Sequence, residues 1–323
     1  MRGYLARRFA QGVVVVVAAV VATFVLIRLA PGDPFAASIE SMTLSPSVAA
    51  ELRSHYGFDR PIPEQLARYV SRVARGDLGY STSQGRFVAD AIGDALPNTL
   101  VLMSTALVVS FLIGIAIGVV QAARRGAVVD HLLSAVTLFF YSIPDFWLAL
   151  VILLTFTYWV PVFPSGGMYD PLGYWGLGFW ERVGQRLHYL ILPAGTLSLL
   201  LTAVIARYQR SAMLDVVNEE YIRTARAKGL DARAVIGKHA LRNALLPVIT
   251  LLGLAFPMLL GGAVFVESVF AWPGMGTLTV MAINTRDYHL VTGTVIVGSA
   301  MVVTGSMIAD VLYAVVDPRL RRS

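Results

Sequence analysis

The sequence lacks cysteine altogether, and its only two lysines are Lys228 and Lys238. Without cysteine there is no disulfide framework, no thiolate metal site and no cysteine nucleophile, and the redox compartment stays undetermined. The P-loop pattern GxxxxGK[ST] is also absent, so the chain does not hydrolyse ATP through such a loop. The five histidines form no HExxH pattern, and no serine lies in a GxSxG elbow. We therefore expect no catalytic residue, no metal site and no cofactor in this chain.

Charge is scarce as well. Charged residues make up 14% of the chain, where soluble domains have about 25%. The mean hydropathy is +0.68, and several uncharged runs reach the ~20 residues that cross a bilayer. The net charge of +6 does not indicate nucleic-acid binding, because basic residues in a membrane protein mainly set its topology. The sequence predicts an all-α integral membrane protein.

The apolar runs predict six transmembrane helices. The first run has a rival interpretation as a signal peptide, because arginines precede it. Its apolar stretch is longer than a typical h-region, however, and no convincing cleavage site follows, so we expect a retained helix. The six spans are Phe9–Leu29, Thr99–Val120, Leu132–Val160, Leu190–Ala206, Ala244–Val266 and Leu290–Val316.

Basic residues are distributed unevenly between the loops that join these spans. With the N-terminus inside, the four cytoplasmic segments carry 16 arginines and lysines, and the two short external loops carry 3. The positive-inside rule then places both termini in the cytoplasm. The chain divides into an N-terminal helix (1–29), an extracytoplasmic accessory segment (30–98), a five-helix core (99–316) and a cytoplasmic tail (317–323). In the accessory segment we predict helices over Ser47–Gly57 and Ile62–Arg75, followed by glycine turns at positions 76, 79 and 85.

The cytoplasmic loop 207–243 holds a basic, helix-forming insert that does not resemble its apolar surroundings. Tyr221–Lys228 is predicted to be helical, with Gly229 in the position that follows a helix C-terminus. Asp231 is predicted to cap a second helix, Ala232–Asn243, which Pro247 separates from the fifth span. A loop lying on anionic headgroups is the simpler interpretation. The helix capping, and a face formed by Tyr221, Ala225 and Lys228, favour a helix that docks on a partner.

Polar residues inside the spans are the candidates for a transport pathway or a gate. Glu267 stands at the outer end of span five, near Phe270 and the turn that contains Pro273 and Gly274; pairing with an arginine is the alternative. Asp145 follows Pro144, so it either caps a helix that restarts after a proline break or lines the pathway.

Residues near the cytoplasmic ends of the spans have simpler interpretations. Asp310 and Asp317 are expected to pair with nearby basic residues. The GxxxG pair Gly114 and Gly118 indicates close helix packing.

A series of motifs along almost the whole chain resembles one family. The insert reads YIRTARAKGL…HALRNALLP, PGDP follows the first span, and YGFDRP and GDLGYS lie in the external segment. GGAVFVESVFAWPGMG, RDY and DPRLR complete the series. In this order they are similar to the permease subunits of binding-protein-dependent ABC importers, and most of all to the B-type dipeptide and oligopeptide permeases. One departure is that Arg223-Thr224-Ala225 stands where the general coupling-loop motif has Glu-Ala-Ala.

The resemblance implies a subunit that forms half of a translocation pathway in a bacterial inner membrane. It also implies its partners: a second homologous permease subunit, two ATPase subunits or one fused ATPase that bind ATP and Mg²⁺, an extracytoplasmic peptide-binding protein, and membrane lipid. Related permeases handle nickel chelates, glutathione or haem, so these substrates stay open. An ion-coupled secondary transporter would need inverted repeats, and a membrane hydrolase would need a nucleophile with its base; neither is visible. The predicted ATPase-coupling residues are Tyr221, Thr224, Ala225, Lys228, Gly229, Leu230, His239, Asn243 and Pro247.

Overall fold

The computed structural model describes residues 2–29, 45, 47, 60–231 and 234–316. The predicted helix Ser47–Gly57, the PGDP motif, most of YGFDRP and the pairing of Asp317 lie outside these residues. The regular secondary structure of the described part is helical except for one small hairpin. Its elements are α1 (Arg2–Leu29), α2 (Ile62–Ala74), β1 (Tyr80–Ser81), β2 (Arg86–Phe87), α3 (Val88–Ala123), α4 (Val128–Ser142), α5 (Asp145–Leu153), α6 (Phe179–Val217), α7 (Glu220–Ala227), α8 (Leu241–Val269), α9 (Met275–Asn284) and α10 (Tyr288–Val316). Two π-helices occupy Leu154–Trp159 and Val235–Ala240, and a short 3₁₀ turn lies at Tyr174–Gly176.

The long helices confirm the all-α membrane fold. Among the described residues, α1, α3, α6 and α10 are long and apolar enough to cross a membrane, and the bent pair α4–α5 would make a fifth span. The helix α8 occupies the position of the predicted fifth span, with 29 residues. The count of six spans therefore stays a prediction. The fourth predicted span was too short, because α6 is a single helix of 39 residues that contains Pro193.

The predicted third span is broken. Helix α4 ends at Ser142, α5 begins at Asp145, and the two axes are bent by 104°. Pro144 lacks the N–H group that would continue the helix, and its ring restricts the residue before it. Asp145 is the first residue of the restarted helix, and its Oδ1 accepts a hydrogen bond of 3.0 Å from the Phe146 N–H. The predicted proline break in the third span is thus confirmed.

Helices α3 and α6 pack closely against each other in the core. A Cβ atom at Gly114 would lie 2.7 Å from Ile205 Cγ2, and one at Gly118 would lie 2.7 Å from the Ala206 carbonyl oxygen. Only glycine leaves room for this approach of the two backbones. The GxxxG prediction is therefore confirmed, and the pair fixes α6, which continues towards the basic loop.

Helix α1 lies at the edge of the bundle against α10. Gly12 contacts Val303 there, and Arg8 Nε lies 3.2 Å from Asp310 Oδ2. The predicted pairing of Asp310 with a basic residue is confirmed. The helix α2 confirms the predicted helix over 62–75, and it packs on α1 through Tyr69, whose ring stacks on Phe24 at 5.8 Å.

The predicted glycine turns after α2 are confirmed, and the three glycines adopt the left-handed conformation, with φ of 81°, 87° and 64° at residues 76, 79 and 85. They shape the β1–β2 hairpin, which Asp287 joins to the core. Asp287 Oδ2 accepts hydrogen bonds from Ser81 Oγ at 2.6 Å and from the Ser83 N–H at 2.9 Å. Its Oδ1 accepts from the Leu290 N–H at 3.1 Å and so caps the N-terminus of α10.

Candidate functional site

The short helix α7 ends in a Schellman motif. The Gly229 N–H donates to the Arg226 carbonyl oxygen at 2.9 Å, and the Leu230 N–H donates to the Ala225 carbonyl oxygen at 3.4 Å. Gly229 has φ of +77°, which costs an L-residue with a side chain roughly 1–2 kcal/mol. The predicted helix and its terminal glycine are both confirmed. The chain therefore turns sharply after Lys228 and returns towards α8.

The inner face of α7 is buried against the protein's own helices. Ile222 is fully buried and Ala225 nearly so, and both pack on Met213 of α6. Val235 and Ala240 of the second π-helix complete this cluster, together with Ala212 and Ala244. Because Ala225 points inwards, the predicted face of Tyr221, Ala225 and Lys228 is not a single exposed surface. Ala225 instead helps to fix α7 to α6.

The outer face of α7 stays open. Tyr221, Thr224, Lys228, Gly229 and Leu230 are all exposed. A Cβ atom added at Gly229 would meet no atom within 4 Å. This face combines an aromatic ring, a hydroxyl, a cation and an aliphatic tip, which suits contact with another protein.

A second contact joins the two ends of the loop. Asn243 Nδ2 donates a hydrogen bond of 2.6 Å to the Tyr221 hydroxyl oxygen. Asn243 belongs to the first turn of α8, and His239 lies half-buried one turn before it in the π-helix. Two predicted residues from opposite ends of the loop therefore contact each other directly.

The second helix of the loop differs from its prediction. The π-helix Val235–Ala240 continues into α8 at Leu241 without interruption, so Pro247 does not separate the two. Pro247 lies exposed inside α8, where the proline removes one backbone hydrogen bond without ending the helix. The start of the second helix falls on residues 232–233, outside the described part, so Asp231 as its cap stays a prediction.

A partly buried ion pair near the loop was missed by sequence reasoning. Arg210 of α6 donates to Asp130 of α4 through Nε at 2.8 Å and through Nη2 at 2.9 Å, and the Gly126 N–H adds a third bond at 3.0 Å. Such two-pronged pairing fixes the relative orientation of two helices. Because the partners lie 80 residues apart, no local pattern could have revealed the pair.

The predicted pathway residues gather at the opposite end of the bundle, except Asp145. Glu267 is fully buried, and its Oε1 accepts from Thr99 Oγ1 at 2.6 Å. Its Oε2 accepts from the N–H groups of Gly276 and Thr277 at 2.7 and 3.2 Å, at the start of α9. A carboxylate at a helix N-terminus is stabilised by the unpaired N–H groups and the helix dipole. The alternative of pairing with an arginine is not found among the described residues, because a hydroxyl and this helix N-terminus supply the partners of Glu267.

The turn before α9 is fixed by the contacts around Glu267, which we call the Glu267 junction. The carboxylate of Glu267 occupies the space where a side chain at Gly274 would lie. The carbonyl oxygen of Pro273 accepts from Asn98 Nδ2 at 2.8 Å, and that of Phe270 accepts from the Gly167 N–H at 2.9 Å. Phe270 itself is buried. These contacts describe a fixed joint between α3, α8 and α9, and a gating role for these residues stays a prediction.

Long apolar helices around a glycine-packed pair, with a capped and partly buried loop at one end, define the class: an all-α membrane protein with the fold of a transporter permease. An inward-facing structure of the MetNI methionine ABC transporter shares this fold, with a TM-score of 0.51, 19% identity, and coverage of 68% of this chain and 95% of that one. The family described as binding-protein-dependent transport system inner membrane component matches residues 114–322, and the family of the corresponding N-terminal part matches residues 1–103. The chain belongs to this family of inner membrane components.

Relatives with assigned names match over nearly the whole chain. The oligopeptide transport system permease protein AppB of Bacillus subtilis is 37% identical over 321 residues, which are 99% of both chains. The probable D,D-dipeptide transport system permease protein DdpB of Escherichia coli is 40% identical over 330 residues, covering 98% of this chain and 97% of its own. The di/tripeptide transport system permease protein DppB of Pseudomonas aeruginosa is 37% identical over 335 residues, or 99% of each. Full-length similarity of this kind extends the resemblance beyond the individual motifs.

Proposed function

We propose that this chain is a permease subunit of an ATP-driven importer for di- or oligopeptides, and that it forms half of the translocation pathway beside a second, homologous permease. The names of its relatives support the substrate class. The observation that carries the coupling role is the two-sided nature of α7, which is buried on one face and open on the other. The chain itself is not an enzyme in this proposal.

The open face of α7 is the docking surface for an ATPase subunit, which binds ATP and Mg²⁺. Its buried face contacts α6, the π-helix and the start of α8, so a force on α7 is passed to three helices together. Because packed helices move as rigid bodies between a few discrete arrangements, closure of the ATPases can switch the pathway from one side to the other. The same contacts let the state of the pathway change the ATPase, since coupling is reciprocal.

The orientation follows from the same role. The loop and both termini lie in the cytoplasm of a bacterium, and the α2–hairpin segment lies outside, where a peptide-binding protein delivers the substrate. This agrees with the distribution of arginine and lysine between the loops. Selection among peptides, or of another substrate such as a nickel chelate, is then made largely by the binding protein.

The test is Gly229→Val in the assembled transporter. Valine in the left-handed conformation strains the turn by roughly 1–2 kcal/mol and reorients Lys228 and Leu230 without a steric clash. We expect weaker association of the ATPase subunit and slower uptake of a labelled tripeptide into vesicles. Gly76→Val is the matched control, because Gly76 has φ of +81° and equally open space in the external segment. Gly229→Asn should restore function, since asparagine tolerates this conformation.

Two results would contradict the proposal. If Gly229→Val keeps both ATPase association and uptake, α7 is not the coupling element. If uptake of every peptide fails in the wild-type complex while ATPase association is normal, the docking role stands and the substrate class is wrong.

A further inference from the structure

An open groove of about 730 Å³ lies between α1 and α10 at the N-terminal end of α1. The two helices contact each other at Gly12, where an added Cβ atom would overlap the Val303 side chain. One wall is formed by α1 and the other by the last turns of α10 that the structure describes. The groove belongs neither to the α7 loop nor to the Glu267 junction.

The groove has a polar end and an apolar end. Its apolar walls are lined by Val14 and Val15 of α1 and by Val302 and Met307 of α10. Gln11 and Ser306 lie between these walls and the charged end, which holds Arg7, Arg8 and Asp310. An elongated amphiphile, with a polar head and an aliphatic tail, matches this order of charged, polar and apolar surfaces along the groove.

Among the described residues that line the groove, the positive charges outnumber the negative ones. Asp310 is engaged by Arg8 at 3.2 Å. Arg7 is exposed, and within the described residues no salt bridge involves it. The charged lining therefore carries two arginines and one aspartate, a surplus of one positive charge. An anion with hydrogen-bond acceptors, such as a phosphodiester, would neutralise this surplus positive charge.

The depth of the groove in the membrane, and the side on which it lies, indicate which molecule supplies that anion. Arg7 and Arg8 stand just before the apolar part of α1, at the depth where a helix leaves the hydrocarbon, and the positive-inside rule puts this end on the cytoplasmic leaflet. Anionic phospholipids are present in that leaflet, and basic pockets between transmembrane helices on this side suit their headgroups. Val14 and Val15, which line the groove, are exposed and offer a surface that acyl chains can cover.

We infer that this groove is a binding site for an anionic phospholipid of the cytoplasmic leaflet. The headgroup phosphate lies on Arg7, with Gln11 and Ser306 within the polar part, and one acyl chain lies between the valines of α1 and α10. The lipid then fills the space that the close contact at Gly12 leaves open, and it holds the peripheral helix α1 against the bundle. This inference does not depend on which substrate is transported.

The experiment uses the purified complete transporter in detergent, titrated with phosphatidylglycerol or phosphatidylcholine, and counts the retained lipids by native mass spectrometry. We expect wild-type complexes to retain phosphatidylglycerol preferentially. Arg7→Gln should weaken that retention about fivefold, which corresponds to about 1 kcal/mol for the loss of one basic contact. Arg124→Gln is the matched control, because it removes an exposed cytoplasmic arginine outside the groove. Retention of phosphatidylcholine should change little in either variant.

A second variant tests the apolar half. Val14→Phe inserts a ring into the groove from an exposed position of α1, and it should lower the retention of both lipids to a similar degree. Equal losses in Arg7→Gln and Arg124→Gln would show a general charge effect and overturn the site. The absence of cysteine allows a further check with Val14→Cys. Efficient cross-linking of this cysteine to the second permease subunit would show that protein, and not lipid, fills the groove.

Discussion

The hydrogen bond between Asn243 and Tyr221 provides a test of how the loop is held. Tyr221→Phe removes the acceptor oxygen of a 2.6 Å bond and keeps the ring. Both groups are exposed, so the bond contributes at the lower end of the usual range, about 0.5–1 kcal/mol, which is a factor of roughly 2–5 in an equilibrium. We expect Tyr221→Phe to shift an equilibrium between two arrangements of the loop by this factor. In the first arrangement α7 is fixed to α8, and in the second, which the variant favours, the open face of α7 moves independently.

The assay is the number of ATP molecules hydrolysed per peptide imported by the reconstituted transporter. We expect this ratio to rise about 2–5-fold in Tyr221→Phe, since the ATPase would still dock but would transmit less of its motion. Asn243→Ala should raise the ratio similarly. The double variant should be no worse than either single variant, because both remove the same bond.

The outcome that refutes this reasoning is additivity. If the double variant shows the product of the two single effects, Tyr221 acts through a separate contact, such as one made directly with the ATPase. An unchanged ratio in both single variants would show that the bond does not contribute to coupling.

The remaining predictions concern stability, measured by thermal unfolding of the purified complex in detergent. Gly118→Val should destabilise it by about 1–3 kcal/mol through overpacking against α6, whereas Gly93→Val, with no atom within 4 Å, should have little effect. Asp287→Ala should destabilise the complex by about 1 kcal/mol through the lost cap of α10. It should also expose the hairpin to proteolysis, and a hairpin that stays intact would show that Asp287 does not hold it to the core. Glu267→Leu should destabilise by at least about 2 kcal/mol, because two buried N–H groups lose their acceptor. Slower uptake at unchanged stability would point to gating instead.

Local features were predicted well from the sequence. The helix α7 and its terminal turn follow from helix propensity and from the glycine at position 229, which are properties of neighbouring residues. The break at Pro144 and the glycine contact between α3 and α6 have the same origin. Each depends on a backbone restriction that holds wherever the residue occurs.

The features that the sequence did not predict depend on residues distant in the chain. Pairing with an arginine was one alternative for Glu267, but Thr99 and the start of α9 supply its partners, across 168 and 9 positions. The helix α9, Met275–Asn284, was assigned to an external loop, because its 10 residues are too short for a span. The inward orientation of Ala225 depends on where α6 lies, which the loop alone does not determine. Tertiary packing decided these features.

The bend between α4 and α5 has a consequence for hydration. Each arm, counting the first π-helix with α5, has 15 residues, or about 22 Å of helix, which is too short to cross a hydrocarbon core of about 30 Å. The elbow therefore lies within the thickness of the membrane, and the carbonyl groups that end α4 have no partner in their own helix. Hydrocarbon cannot solvate them, so water or a neighbouring subunit must. The proline that interrupts this span thus marks a point within the membrane where the assembled transporter must supply polar partners, from water or from another subunit.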